Sequence, residues 1–200
     1  MTLENNNSIK TFAIMASGSG SNAENLIQTS RKLGANLACL ICDQSSAKVL
    51  DRCKRLDVKA IIMEKTSSKE RHEQEILAVL KEMEVNWLLL AGYMRLLSEN
   101  FLSHFYDPAK DRNQVVNIHP SLLPEYPGLG GYQRAYEDQV ERSGATVHFV
   151  DGGIDTGPII EQGSFKREKN DDLASFTARG LALEHTLYAR ILEKIIKGQV

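Results

Sequence analysis

Residues 11–33 read Thr11-Phe-Ala-Ile-Met-Ala-Ser17, then Gly18-Ser-Gly-Ser-Asn22, then Ala23 through Leu33. The first seven show no polar alternation, which suits a strand covered on both faces, as in a parallel sheet. A glycine-rich turn follows, and after it apolar residues recur at helical spacing. Strand, glycine turn and helix in that order aim free backbone N–H groups at an anion. Glycine also lets a ligand approach the backbone closely. Ser21 or Asn22 is expected to cap the helix. The same residues fit a dinucleotide site. Gly18-x-Gly20-x-x-Ala23 matches that fingerprint with alanine in the last place, and Asp43 ends the next strand, where an acid would hold a ribose. On this segment alone, a dinucleotide and a single phosphate are equally good ligands.

The strand–helix rhythm continues outward. Leu37–Cys42, Lys59–Met63 and Trp87–Ala91 read as strands, and 47–56 and 67–83 as helices, with Trp87 in the core. Ser98 caps a short helix over 99–105, and 107–114 is polar and reads as a loop. Further on come a helix over 133–141, strands over 143–150 and 158–165, and a closing helix over 172–197. This alternation predicts an α/β, Rossmann-like, doubly wound and mostly parallel sheet with helices on both faces. Ligands of such sheets bind outside the C-terminal strand ends. Gly18–Asn22, Gly92–Leu97 and Asn117–His119 all fall on that edge.

The third of these, Val115-Val-Asn-Ile-His-Pro-Ser-Leu-Leu-Pro124, is the stretch with chemistry. Residues two apart on a strand share a face, so Asn117 and His119 point the same way. An amide donor beside an imidazole suits a developing oxyanion and a moving proton. Asp155, in Gly152-Gly-Ile-Asp-Thr-Gly-Pro158, is the best candidate to orient the histidine. Gly92-Tyr-Met-Arg-Leu-Leu97 combines apolar side chains with one cation, so a flat heterocycle would pack on it and Arg95 would meet a carboxylate. His148 reads as a structural strand residue.

Composition narrows the class. Two hundred residues with 42% hydrophobic and 25% charged content fit a globular chain. A formal net charge of −2 argues against a general nucleic-acid binder. No apolar run approaches a membrane span, and the N-terminus lacks the pattern of a signal peptide. Cys39, Cys42 and Cys53 make no disulfide framework. Cys39 and Cys42, three apart on a strand, face opposite sides and read as buried thiols of a reducing cytoplasm. His72, His104 and His185 show no metal-ligand spacing, so no metal is expected. Residues 1–10 read as a polar tail and 11–200 as a single domain. No positioned nucleophile appears, which favours direct transfer between two bound substrates.

The chain resembles the folate-dependent formyltransferases, in particular those of purine synthesis. The matches are Asn117-Ile-His-Pro-Ser-Leu-Leu-Pro124, Asp155-x-Gly157-x-Ile159-Ile160, Gly18-Ser-Gly-Ser-Asn22 and Ala91-Gly-Tyr-Met-Arg95, in the family's order across roughly residues 11 to 196. The resemblance implies formyl transfer from 10-formyltetrahydrofolate to the amine of glycinamide ribonucleotide, two small-molecule substrates. It implies Asn117, His119 and Asp155 as catalytic residues, with Asn117 and a protonated His119 on the oxyanion and Asp155 raising the His119 pKa. Phosphate contacts would fall on Gly20, Ser21 and Asn22, and a ribose contact on Glu184. Folate contacts would fall on Met94, Arg95, Leu96, Leu97, Asn117, Asp151, Gly152, Gly153 and Ile154, with Lys69 at the glutamate tail. Residues 11–110 would then be a phosphate-binding half and 111–200 a catalytic and folate-binding half. The resemblance also implies a cis Leu123–Pro124 bond.

Three positions depart from the family: Tyr132 for a usual histidine, Leu181 for a polar residue of some members, and Lys69 for an arginine of some. Three alternatives stand beside this one: a related formyltransferase on another phosphorylated or nucleotide-linked amine, a formyltetrahydrofolate hydrolase, and a catalytically silent nucleotide- or folate-binding module.

Overall fold

The structure is a computed structural model that describes residues 10–200. The polar tail read over 1–10 lies outside the described residues except for Lys10. The central sheet has seven strands in the order β3-β2-β1-β4-β7-β8-β9. They are β1 (Thr11–Ala16), β2 (Asn36–Cys42), β3 (Ala60–Ile62), β4 (Trp87–Leu90), β7 (Val115–His119), β8 (Arg142–Phe149) and β9 (Ile159–Lys166). The first five run parallel, whereas β8 pairs antiparallel with β7, and β9 antiparallel with β8.

Alternate residues of each inner strand enter opposite cores. Phe12, Ile14 and Ala16 pack with Leu89, Val116 and Ile118 under α1 (Ser21–Leu33), α2 (Val49–Arg55) and α6 (Leu173–Ile196). Ala13 and Met15 pack with Leu88, Leu90 and Val115 under α3 (Lys69–Glu82) and α4 (Glu99–Ser103). Both faces of β1 are therefore dry, which is why its sequence carries no polar alternation. Cys39 and Cys42 are buried in opposite cores, as their spacing predicts.

Two expectations need correction. The polar loop over 107–114 contains a small antiparallel pair, β5 (Tyr106–Asp107) with β6 (Arg112–Asn113). It is too short and too polar to carry a strand pattern. The cap of α1 is Gly20, in the left-handed region, with no side-chain capping bond from Ser21 or Asn22. Gly20 has φ 75°, and a Cβ there would run into Val49 of α2. Only glycine meets both demands. Gly20→Val should therefore destabilise the fold by about 2 kcal/mol or more through strain and overpacking. Urea denaturation checks this, and a loss below about 0.5 kcal/mol would contradict the packing.

The helix starts at Ser68, Ser98 and Asp172 follow the usual rule, each side chain accepting from an N–H of the first turn. Helix α5 (Gly131–Glu137) begins two residues earlier than its apolar pattern suggests. The Leu123–Pro124 bond is cis, as the resemblance implies.

Candidate active site

The parallel strands β1, β4 and β7 end side by side, and the loops after β1 and β4 are tied together. Ser17 N–H donates to Gly92 O at 3.1 Å, and Met94 N–H donates to Ser17 Oγ at 3.1 Å. Strand order reverses direction here, between β1 and β4, which opens a crevice at the sheet edge. A cavity of about 430 Å³ occupies that edge next to β7. Its walls come from Leu90–Leu97, from Asn117–Pro120 and from the loop that holds Asp151, Gly153, Ile154 and Asp155. Met94, Leu96 and Ile154 are exposed at 65%, 49% and 55%, a high value for such side chains and an apolar surface for a ligand to cover.

The polar cluster sits against this apolar wall. His119 is 4% exposed. Its Nε2–H donates to the Tyr126 carbonyl at 2.8 Å, so in the neutral ring Nδ1 carries the lone pair. Nδ1 lies 3.1 Å from Asp155 Oδ2. Two acceptors face each other there, leaving a seat for one proton between ring and carboxylate. Asp155 Oδ2 also accepts from the Gly128 N–H at 2.8 Å. Tyr126 and Asp155 both have positive φ, 52° and 55°, although neither is glycine. Such backbones cost about 1 kcal/mol or more each and concentrate at functional sites.

His148, expected to be structural, belongs to the cluster. The antiparallel register sets it directly opposite Asn117. Its Nδ1–H donates to the Phe149 carbonyl at 2.8 Å, which leaves Nε2 to accept from Asn117 Nδ2 at 3.2 Å. That contact fixes the Asn117 amide. His148 Nε2 is also 3.5 Å from Asp155 Oδ1. Nothing in the local sequence marks this residue; only the pairing of β7 with β8 does.

Burial pulls the His119 ring below its ordinary value of 6.5, while the Tyr126 carbonyl and the Asp155 carboxylate push it back up. Asp155 thus raises the ring, as expected, but desolvation outweighs it, so the resting ring is neutral near pH 7. Burial raises the Asp155 carboxyl, yet His148, the Gly128 N–H and His119 together hold it below the carboxylate range. Folding lowers both proton affinities, so the unfolded chain binds more protons, and stability falls as pH drops below 6.5 and again below 3.8. Asp155→Asn should lower the His119 pKa further by removing the nearest negative charge. NMR titration of the ring in both proteins checks this, and an unchanged or higher value would dissociate Asp155 from the ring.

The other expected residues fall in three places. At the start of α1 the first helical bond is Glu24 N–H to Gly20 O, so the N–H groups of Ser21, Asn22 and Ala23 stay outside the ladder. Asn22 Nδ2 donates to Glu184 Oε2 at 2.5 Å, bringing those two together. Burial raises the Glu184 pKa, against the Asn22 and Tyr132 contacts. The Tyr132 hydroxyl faces Glu184, yet it and Asn22 Oδ1 are buried without a hydrogen-bond partner among the described residues. Lys69 lies outside the main cavity, on a smaller neighbouring one that shares its Arg95–Leu97 wall. Gly152 lines neither: it faces Glu99 on the far side of its loop. Asp43, the acid a dinucleotide would need, is 4% exposed and ion-paired with Arg95 Nε. The same pair engages the guanidinium expected to meet a ligand carboxylate.

Among the described residues no three His, Cys, Asp or Glu side chains group to hold a metal, and no helix is long and apolar enough to cross a membrane. The chain is similar to known proteins along its length. Phosphoribosylglycinamide formyltransferase of Bacillus subtilis is 36% identical over 192 residues, covering 94% of this chain and 95% of that one. The crystal structure of phosphoribosylglycinamide formyltransferase from Bacillus halodurans superposes with a TM-score of 0.84 at 42% identity, covering 94% and 95% of the two chains. That of glycinamide ribonucleotide transformylase 1 from Geobacillus kaustophilus gives 0.85 at 38%, covering 94% and 99%. Residues 10–192 match the family model for formyl transferase, and the chain belongs to that family.

Proposed function

We propose that this chain transfers the formyl group of 10-formyltetrahydrofolate to the amine of glycinamide ribonucleotide, a step of de novo purine synthesis. The observation that carries this is the Asn117, His119, Asp155 cluster against an apolar cavity in a member of the formyl transferase family. Relatives named for that reaction match over nearly their whole length.

The amine nitrogen attacks the formyl carbon, and the carbonyl π pair moves onto oxygen. Asn117, its amide held by His148, donates to that oxyanion. The attacking nitrogen becomes positive and gives a proton to the seat between His119 Nδ1 and Asp155, directly or through a water. The ring is then an imidazolium paired with a carboxylate, and its charge further stabilises the oxyanion. On collapse the C–N10 bond breaks, and the same proton goes to N10 of tetrahydrofolate. One proton leaves the amine and one reaches N10, so the balance closes with no covalent enzyme intermediate. The resting neutral ring suits this cycle, since a ring already charged would have no seat to offer.

The free N–H groups at Gly20–Asn22 cradle the phosphate, with Glu184 at the ribose. Met94, Leu96, Leu97 and Ile154 cover the pterin. Arg95, Asp151 and Gly153 shape its polar edge, and Lys69 meets the glutamate. Residues 11–110 thus supply the phosphate cradle and one wall of the folate slot, and 111–200 the catalytic cluster. We place the reaction in the cytoplasm, where buried thiols such as Cys39 and Cys53, both pushed up to about 11 by burial, stay reduced.

Formyl transfer to glycinamide ribonucleotide, compared with transfer to other phosphorylated or nucleotide-linked amines, tests the substrate. The ribonucleotide should lead in kcat/KM by about 100-fold or more, since unpaired polar groups penalise a misfit. A rival amine that is turned over as well would reassign it.

A further inference from the structure

Gly180 is buried in the interior of α6, where glycine is a poor helix former. The Tyr132 ring of α5 explains it: a Cβ at position 180 would collide with the ring at Cζ and at both Cε atoms. Gly131, next to Tyr132, has a similar reason, because a Cβ there would run into the Pro120 carbonyl that follows His119. Two missing side chains thus let α5 lie against both the end of β7 and the middle of α6. Phe165 and Phe176 hold the ring edge-on, with centroids at 6.1 Å and 6.4 Å, and Tyr132 is 6% exposed.

Glu184 follows Gly180 by four residues, so the two share a face of α6. Long helical side chains lean toward the N-terminus, which brings the Glu184 carboxylate over the turn that the ring occupies. The Tyr132 hydroxyl faces that carboxylate, yet it is buried without a hydrogen-bond partner among the described residues. Burial and the nearby carboxylate both push the hydroxyl pKa up, so it keeps its proton and serves as a donor. Asn22 Nδ2 already donates to Glu184 Oε2. Glu184 Oε1 accepts from nothing among the described residues and is not sealed from solvent. Buried donors seldom stay unpaired, so hydroxyl and carboxylate form one arrangement that a bound substrate completes.

We infer that Tyr132 is a positioning residue for the ribonucleotide: when the ribose hydroxyls reach Glu184, the Tyr132 hydroxyl donates to the same carboxylate and holds it aimed at the sugar. This rests on the placement of the ribose at Glu184 and adds the residue that sets the aim of that carboxylate. Tyr132 stands where the family usually has a histidine, so the arrangement is particular to chains with the tyrosine. It also fixes the charge of the site. Burial raises the Glu184 carboxyl, and two contacts oppose that rise, Asn22 from α1 and Tyr132 from α5. Losing the tyrosine contact lets the pKa climb, and a protonated carboxyl has less capacity to accept from the ribose.

The test measures kcat and both KM values, from acid to neutral pH, for wild type, Tyr132→Phe, Glu184→Gln and the double variant. Tyr132→Phe keeps the ring in its notch and should leave the urea midpoint unchanged. It should raise KM for glycinamide ribonucleotide about tenfold, the size of one hydrogen bond to a charged group, with kcat and KM for the folate within about twofold. The pH below which the ribonucleotide KM climbs should move up by about one unit. In the Glu184→Gln background the same change should add little, because the hydroxyl acts through that carboxylate. A ring that only packs would move none of these, since phenylalanine packs as well. If Glu184→Gln raises the ribonucleotide KM and Tyr132→Phe does not, this inference alone is overturned. A full tenfold rise from Tyr132→Phe on top of Glu184→Gln would overturn it too, by showing that the hydroxyl acts elsewhere. An unchanged ribonucleotide KM in Glu184→Gln would remove the ribose from Glu184, and this inference with it.

Discussion

His119→Ala should lower kcat for formyl transfer by about 10³-fold or more, with affinities for both substrates changed by no more than about threefold. The ring is assigned two tasks in one cycle, accepting the amine proton and, once charged, stabilising the oxyanion. Both act only as the tetrahedral species forms, so the loss belongs in kcat and not in binding. Alanine also leaves the Tyr126 carbonyl without its donor and opens a void beside Asp155. His119→Gln serves as the control: it refills the volume and restores the bond to Tyr126 but seats no proton, so it should recover stability and not rate. Saturating steady-state kinetics with calorimetric binding of each substrate would show this. A kcat within tenfold of wild type would remove His119 from the reacting centre.

Tyr188→Ala should destabilise the fold by about 4 kcal/mol, the range for deleting a fully buried aromatic ring. Tyr188 of α6 is fully buried, and its hydroxyl shares its one proton between the carbonyls of Leu90 at 3.0 Å and Val116 at 3.2 Å. One side chain thus ties the end of β4 to the second residue of β7. Leu90 is two residues before the Gly92–Leu97 loop, and Val116 immediately precedes Asn117. Tyr188→Phe keeps the ring and loses the shared bond, so it should cost about 1 kcal/mol. Its effect on kcat should exceed its effect on either KM, because that tie sets where Asn117 points. Urea denaturation of both variants checks the stabilities. A loss below about 1.5 kcal/mol for the alanine variant would mean that the site can collapse around the void.

Much of this architecture is legible along the chain, for reasons that are local. Thr11–Ala16 lacks polar alternation because both its faces are dry. Asn117 and His119 share a face because a strand repeats every two residues, and three loops converge because parallel strands end on one edge. What escapes is set by pairing across distance. β8 is buried over nearly all its length, so its composition does not tell antiparallel from parallel neighbours. His148 becomes a site residue only through the register that sets it opposite Asn117. The charge state of His119 depends on how much water the surrounding walls exclude, and a sequence motif shows the partner Asp155 but not the walls. Gly20 looks like a ligand-facing glycine, and its need for glycine comes from Val49, 29 positions further on and on another helix. Asp43 likewise seems free to hold a ribose until the fold pairs it with Arg95.

The central claim is direct transfer of the formyl group between two bound substrates, and the fate of a labelled formyl carbon tests it most directly. With 10-[13C]formyltetrahydrofolate and glycinamide ribonucleotide both present, all of the label lost from the folate should appear on the ribonucleotide amine, one for each tetrahydrofolate released. None should be bound to protein, and with the ribonucleotide omitted the labelled folate should persist. Labelled formate released without the ribonucleotide would make the protein a hydrolase, and label retained on the protein would replace direct attack with a covalent intermediate.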